Sequence, residues 1–493
     1  MKESNPFNIT KAVDYSDEEI FKYWVDIPGE NGFVDLIKPN SPMPMVILGG
    51  KGSGKTHIMR FFSFNLQKIR YQESLIKNIQ KEGYIGIFTR CGGLNSGRFS
   101  GSHQNQDAWK NIFSYYIELW LSQIVLAIVD EIIKTNYEFY RNSEQKACEQ
   151  ILQLFDKNSP DEALTFSELR KRIKALQRTV DFEVNNCAIT GENISNLRIL
   201  VSPGSFVFGI PKVLSQNFSF LSKIQFIYLV DEFENLLDYQ QMYFNTLLRE
   251  RESPVTFRVG ARWYGYRTFR TYSAEEDLKE GSEYEKHVID QILRDRSDDY
   301  VKFAANICKS RLEQVELLDS NEGSEDIRAF FDEFSLDSLY KNIEPKKDRI
   351  RKAIFGRVGA KIGSRVKNSE LELVISNLRN EDDPVIERTN LFLFFRYWKK
   401  NKGLALLKCS EKVKIESLLY QNPKTRSKSE HFRILSKFKN DIIDQICRDY
   451  QEELPYSGFD KLVKMSVGIP RLLLIMLKHV YRWSDYNGEK PFR

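Results

Sequence analysis

The sequence is short of several features, and each shortage removes a class of function. Its six cysteines (Cys91, Cys148, Cys187, Cys308, Cys409 and Cys447) are scattered with no C-x-x-C pair. The histidines, His57, His103, His287, His431 and His479, are equally dispersed. A structural zinc site is therefore not expected, and free buried thiols in a reducing compartment are. Long hydrophobic runs are also missing. The longest, Leu119–Val129, contains Ser122 and Gln123 and is bounded by Glu118 and Asp130. It is too short to span a bilayer and reads as a buried helix. The opening residues Met1-Lys2-Glu3-Ser4-Asn5-Pro6 carry no apolar signal-peptide core, so a cytoplasmic protein without membrane attachment is expected. Excess charge is small: 73 Lys+Arg against 68 Asp+Glu leave a net +5. That balance does not mark an overall nucleic-acid binder, and any such role must come from a local patch. No internal repeat or long low-complexity segment is found.

What is present is an alternation of apolar strands and helical patterns, in a chain whose 41% apolar share is that of a globular protein. Its length corresponds to roughly two to four folding units. Met45-Val46-Ile47-Leu48, just after Pro42 and Pro44, reads as a buried parallel strand. A helix is predicted from Thr56 to about Ile69, with Ile58, Phe61, Phe62 and Leu66 at helical spacing. Further strands are predicted at Tyr84–Phe88, Phe226–Val230 and Val255–Gly260, with a helix over 235–250. Residues 106–134 read as one long amphipathic helix. Residues 135–200 read as mostly helical, with polar breaks near Asn158-Ser159-Pro160 and Asn185-Asn186. This order predicts an α/β fold with a parallel sheet flanked by helices. From about residue 298 the strand patterns stop, which places a domain boundary near 297.

Gly49-Gly50-Lys51-Gly52-Ser53-Gly54-Lys55-Thr56 matches G-x-x-x-x-G-K-[ST], between an apolar strand and a helix. Glycines let successive backbone N–H groups face phosphate oxygens. The following helix, through Thr56 and His57, adds its N-terminal partial charge. Lys55 is placed for the β and γ phosphates, and the Thr56 hydroxyl for Mg²⁺. The predicted ligands are ATP and Mg²⁺. The strand 226–230 ends in Asp231-Glu232, which suits Asp231 to hold Mg²⁺ through water and Glu232 to act as general base on the attacking water.

Asp231-Glu232-Phe233-Glu234-Asn235-Leu236 resembles the second nucleotide motif of AAA+ ATPases of the origin-recognition (initiator) branch. Ser466-Val467-Gly468-Ile469-Pro470-Arg471-Leu472-Leu473 looks like the family's G-x-P-R sensor on a lid helix, which implies that Arg471 contacts the γ-phosphate. The stretch Val259–Gly265, then Gly281–Glu285 and Tyr300–Leu312, with Tyr23-Trp24 and Glu387–Trp398, is similar to initiator-like AAA ATPases of bacterial mobile and anti-phage defence operons. The resemblance implies an ATPase domain over 1–297 and a mainly helical lid over 298–493, the lid elaborated by an insertion at about 340–455. Because 175 residues separate Thr56 from Asp231, more than such modules usually have, a helical insertion at about 106–200 is also implied. The initiators' winged-helix domain after the lid has no counterpart before Arg493. The resemblance further implies a polar sensor after the second motif, for which Arg262 is the candidate ahead of Thr256 and Arg258. It also implies an arginine finger for a neighbouring subunit, with Arg267 and Arg270 as candidates.

Three signals are softer. Arg262-Trp263-Tyr264-Gly265-Tyr266-Arg267-Thr268-Phe269-Arg270 interleaves aromatic and basic residues, as a subunit interface or a base-stacking strip does. The basic run 346–367 puts Arg357, Lys361 and Arg365 at i, i+4 spacing on a predicted helix. It is read as a site for nucleic-acid backbone contact, a solvated face, or a partner for the acidic stretch 313–337 of another subunit. The loop Gly92–Gly101, with Arg98 and Phe99, is read as a pore or partner contact, or as a mobile connection. No nuclease, deaminase or protease constellation is found. The expected protein is thus an oligomeric ATPase that serves as the regulatory or sensor subunit of an anti-phage defence system beside a separate effector. A DNA-remodelling or DNA-loading ATPase and a nucleotide-dependent scaffold with little turnover are the alternatives.

Overall fold

A computed structural model describes residues 5–488, apart from 30–31, 72–73, 103, 157–162, 274–276, 316–325, 332–334, 366, 401–404 and 453–457. The expected break at 158–160 and much of the acidic stretch 313–337 lie outside the described residues.

The strands β1 (Met45–Leu48), β2 (Tyr84–Arg90), β3 (Gln225–Asp231), β4 (Val255–Ala261) and β5 (Glu285–Val288) form a five-stranded sheet in the order β2-β3-β4-β1-β5. Every pairing is parallel. The near-continuous apolar runs of β1, β3 and β4 are buried as a sheet covered on both faces requires. β5 has no such run and was not expected. Its Glu285-Lys286-His287-Val288 becomes a strand because it pairs with β1, Met45 opposite Glu285, and its charged residues suit an edge. The order places β1 between β4 and β5, and the loop after it opens at the carboxyl edge, where sheets of this class receive ligands.

The helix expected over 56–69 is two helices, α1 (Lys55–Phe61) and α2 (Phe64–Arg70). Ser63 is extended at φ −74°, ψ 159° and starts α2. The break is also where β2 crosses closest: a Cβ on Gly86 would lie 2.0 Å from the Phe62 carbonyl oxygen. From α2 the buried Gln67 side chain reaches the free edge of β2. Its Nε2 donates to the Tyr84 carbonyl at 3.1 Å, and its Oε1 accepts from the Gly86 N–H at 3.2 Å.

Between β2 and β3 come α3 (Gln106–Ile133), α4 (Tyr137–Leu152), α5 (Phe166–Thr190) and α6 (Ser205–Asn217). α7 (Asp238–Arg249) follows β3. α3 was expected to be amphipathic but is buried nearly all round, Phe113, Tyr115, Ile117 and Leu119 included, because α5, α6 and α7 pack around it. Among the described residues one helical stretch, Gln106–Leu152, is long and apolar enough to cross a membrane by composition, and 72% of its most apolar window is buried within the protein. α5 runs through Asn185-Asn186, where a break was expected. The Asn186 side chain donates to the Phe182 carbonyl inside the helix, and the stop comes at Gly191, φ 72°. These helices share one apolar core with the sheet.

A buried carboxylate ties that core together. Glu118 of α3 accepts from the N–H groups of Gly204 (2.6 Å), Phe206 (2.8 Å) and Val207 (2.9 Å) at the start of α6, and from the Tyr243 hydroxyl of α7 at 2.5 Å. Burial pushes its pKa up against the pull of these donors. Glu118→Ala strands the amides and the hydroxyl in an apolar interior, and a stability loss of about 3 kcal/mol or more is expected. Urea unfolding measures it; an unchanged midpoint would show that the helices are held by apolar packing alone.

The chain divides into two compact units, Met1–Phe330 with Leu462–Arg493, and Phe331–Lys461. This differs from the boundary expected near 297. The helices α8 (Ile289–Asp295), α9 (Ser297–Glu313) and α10 (Pro470–Asn487) belong with the sheet. Arg311 of α9 donates to the carbonyls of Pro6 (3.0 Å) and Ile9 (3.3 Å), and Tyr300 shares a 2.6 Å bond with Ser466. The second unit is helical among its described residues, with its own core around Phe355, Leu393, Phe394, Val413 and Ile443. All six cysteines are buried free thiols.

Candidate nucleotide site

The loop after β1 turns where only glycine is comfortable: Gly52 at φ 93° and Gly54 at φ 103°. Gly54 directly precedes α1. The buried Lys55 Nζ donates to the carbonyls of Gly49 (2.7 Å) and Gly50 (3.1 Å) and lies 3.4 Å from the Ser53 hydroxyl. Burial lowers its pKa, while the carboxylates of Asp231, Glu234 and Asp290 pull it back up. Thr56 donates from Oγ1 to Asp231 Oδ2 at 2.6 Å. Asp231 is 1% exposed at the end of β3, and burial pushes its carboxyl up to about 6.

Glu232 stands in the left-handed region at φ 57°. That turn sends its side chain toward Arg90 at the end of β2, with which it pairs at 2.7 Å. Glu234 holds Arg262 by side chain and backbone: it accepts from Arg262 Nε at 2.9 Å and from the Arg262 N–H at 3.2 Å. Gly265 leaves the room, since a Cβ there would fall 2.3 Å from Glu234 Cβ. Arg471, in the first turn of α10, donates its N–H to the Gly52 carbonyl at 3.2 Å. Among the described residues its Nε is buried with no partner.

A cavity of about 400 Å³ has Lys51–Ile58, Asp231, Glu232, Glu234, Arg262 and Arg471 on its wall. Its lining also includes the apolar side chains of Val13, Tyr23, Trp24, Phe33, Phe303 and Ile307. The N-terminal segment that supplies part of this wall is strapped down. Arg60 of α1 donates to the carbonyls of Ala12 (2.7 Å) and Tyr15 (2.9 Å) and pairs with Asp17 at 2.5 Å. His57 also lines the cavity, its ring parallel to Trp24 at 5.7 Å. Burial, with Arg311 and Arg60 nearby, pushes its pKa down to about 3, so it stays neutral.

A glycine cradle, a lysine, and an arginine with a buried, unpartnered N–H fit the phosphates of a nucleotide. The apolar side chains of the lining fit its base, and the volume lies in the range of small-ligand sites. Thr56 and Asp231 offer the hard oxygen donors that Mg²⁺ takes.

Other expected residues fall elsewhere. Arg258 is wholly buried and donates to the carbonyls of Ile37 (2.7 Å), Met43 (3.0 Å) and Ser41 (3.0 Å). It braces the approach to β1, where burial lowers its pKa to about 9. Thr256 bonds the Pro42 carbonyl at 2.9 Å. Arg267 is engaged by Asp238 at 2.6 Å and by backbone carbonyls within its own chain. Arg270 is exposed and, among the described residues, its side chain has no partner. The loop with Arg98 and Phe99 is packed: Phe99 is fully buried, and Arg98 pairs with Asp181 at 2.7 Å. In the basic run the helix ends at Ile362, one turn short of Arg365. Lys361 lies over Phe395, Arg365 over Trp398, and Arg357 lies 3.9 Å from Asp449, all within the second unit. The sequence reading had singled out neither Arg90 nor Asp290, whose Oδ1 accepts the Gly50 N–H at 3.3 Å. Neither carries a local signal: Arg90 lies past the apolar part of β2, and Asp290 follows β5, which has no apolar run.

Compared with protein-family models, residues 5–492 match the one described as ORC-CDC6-like. No curated protein and no solved structure matches.

Proposed function

From the premise that the chain belongs to the ORC-CDC6-like family, and so to the initiator-like AAA+ ATPases, we propose that it binds ATP with Mg²⁺ and hydrolyses the β–γ bond. The observation that carries this is the junction of Thr56 and Asp231 under the glycine loop, beside the unpartnered Nε of Arg471.

In this reading Lys55 exchanges its loop carbonyls for phosphate oxygens, and the N–H groups of the loop and of α1 hold the remaining charge. Thr56 and Asp231 hold Mg²⁺, which supplies positive charge beside the transferring phosphoryl group. Glu232, once free of Arg90, takes the proton of the attacking water. Arg262, oriented by Glu234, and Arg471 face the γ-phosphate from the sheet and from α10. The apolar side chains around Trp24, Phe33 and Phe303 receive the base. Release of phosphate from a purified preparation, dependent on Mg²⁺ and lost in Asp231→Ala, tests the assignment; undiminished release by that variant would remove the metal role from Asp231.

The site is further proposed to be completed by a second copy of the chain. Trp263 (42% exposed) and Tyr264 (94% exposed) stand beside Arg262, and Arg270 follows with no partner of its own among the described residues. Particle mass is expected to rise to a multi-subunit assembly when ATP and Mg²⁺ are added to Glu232→Gln. A mass that stays monomeric would remove Arg270 as a residue acting in trans. The defence role, as a regulatory subunit beside a separate effector, rests on the resemblance over Val259–Gly265 and Tyr300–Leu312.

A further inference from the structure

We propose that Asp290 is a positioning residue that joins the nucleotide loop to α10, so that the loop and Arg471 move as one body. This rests on the reading of Arg471 as the γ-phosphate contact. Asp290 is 7% exposed and does not line the cavity, so it acts through other groups.

The contacts close a ring. Asp290 Oδ1 accepts the Gly50 N–H at 3.3 Å, and a Cβ on Gly49 would sit 3.1 Å from the same oxygen. Its Oδ2 lies 3.4 Å from Arg294 Nη2, and its own carbonyl accepts Arg294 Nε at 3.0 Å. That carbonyl is the floor on which the turn before α10 rests. Gly468, at φ 73°, comes so close that a Cβ would be 2.9 Å from the Asp290 oxygen and 2.8 Å from Arg294 Cγ. Two residues beyond Ile469, Arg471 returns to the loop. Its N–H bonds the Gly52 carbonyl at 3.2 Å, and a Cβ on Gly52 would meet Arg471 Cβ at 2.5 Å. The loop is thus held at Gly50 by α8 and at Gly52 by α10, and α8 and α10 are wedged together at Gly468.

Packed contacts of this kind have discrete arrangements and do not stretch. A pull on the Arg471 guanidinium therefore reaches Asp290 through backbone, and the Asp290–Gly50 bond sets where the guanidinium stands when the loop is filled. A negative side chain bound to a phosphate-loop N–H has no place in nucleotide binding itself, since it opposes the ligand's charge. Its place is in registration of the loop with the helix that reads the ligand.

The test is the ratio of affinities for a non-hydrolysable ATP analogue and ADP, measured by titration calorimetry on the full chain, which needs no turnover. The wild type is expected to prefer the analogue by about tenfold or more, and Arg471→Ala to lose the preference. Asp290→Ala is expected to lose most of it while ADP affinity changes less than about threefold, and Asp290→Asn, which keeps an acceptor for Gly50, to restore it. Gly468→Ala is expected to reproduce the loss. Combining it with Asp290→Ala should add nothing, as for two cuts in one ring. Full discrimination by Asp290→Ala overturns the proposal. So does an equal loss of ADP and analogue binding, which is the mark of a loop merely disordered. A wild type that binds neither nucleotide would instead sink the nucleotide reading itself.

Discussion

Lys55→Ala is expected to weaken ATP binding by about 100-fold or more, with little change in folding. The buried ammonium makes charge-assisted bonds to phosphate, and two such bonds are worth roughly 3 kcal/mol or more. The fold tolerates the change because the ammonium is itself a burden: it is buried, and burial already lowers its pKa. Its bonds to Gly49 and Gly50 offset that burden, so truncation removes a cost along with a benefit. Titration with a fluorescent ATP analogue, next to a urea melt of the same preparation, separates the two effects. Affinity near that of the wild type would mean that the glycine loop binds something other than phosphate.

Glu232→Gln is expected to lower the hydrolysis rate by about 100- to 10,000-fold while ATP affinity holds within a few-fold. Glutamine keeps the size of the side chain and cannot take a proton. Its effect on binding is small because Glu232 faces Arg90 across 2.7 Å and not the loop, whose Lys55 and Thr56 are engaged elsewhere. Phosphate release in single-turnover conditions gives the rate. Should turnover persist, water is activated by another group, and a scaffold that depends on binding alone becomes the better account.

Most of the sheet and the nucleotide loop were legible because they use strong local signals. Apolar runs mark β1, β3 and β4, and the glycine spacing marks the loop. Asp231 and Glu232 were legible from their place at a strand end. What escaped depends on contacts between distant segments. β5 has no apolar pattern and is a strand by virtue of its pairing with β1. The break at Ser63 follows from the approach of Gly86, which no helical period announces. The all-round burial of α3 follows from the helices packed on it, so an amphipathic reading of its sequence failed. The resemblance admits Arg258 only as a sensor candidate behind Arg262, as a polar residue of the strand after the second motif. Its function is to gather the carbonyls of residues 37–43. Arg90, Asp290 and Glu118 are charged residues with ordinary neighbours in sequence, and only the fold gives them partners.

The Gln67 side chain has a consequence for how copies of this chain meet. An open border strand is a template on which a foreign segment zips up by backbone pairing, the first step toward amyloid-like stacking and entangled precipitates. At β2 the Tyr84 carbonyl and the Gly86 amide are already taken by a side chain fixed in a helix. An incoming strand must first evict that amide and bury it with nothing to bond. The border of β2 is therefore capped over Tyr84–Gly86, and a strand offered by a second copy finds two of its pairing groups already taken.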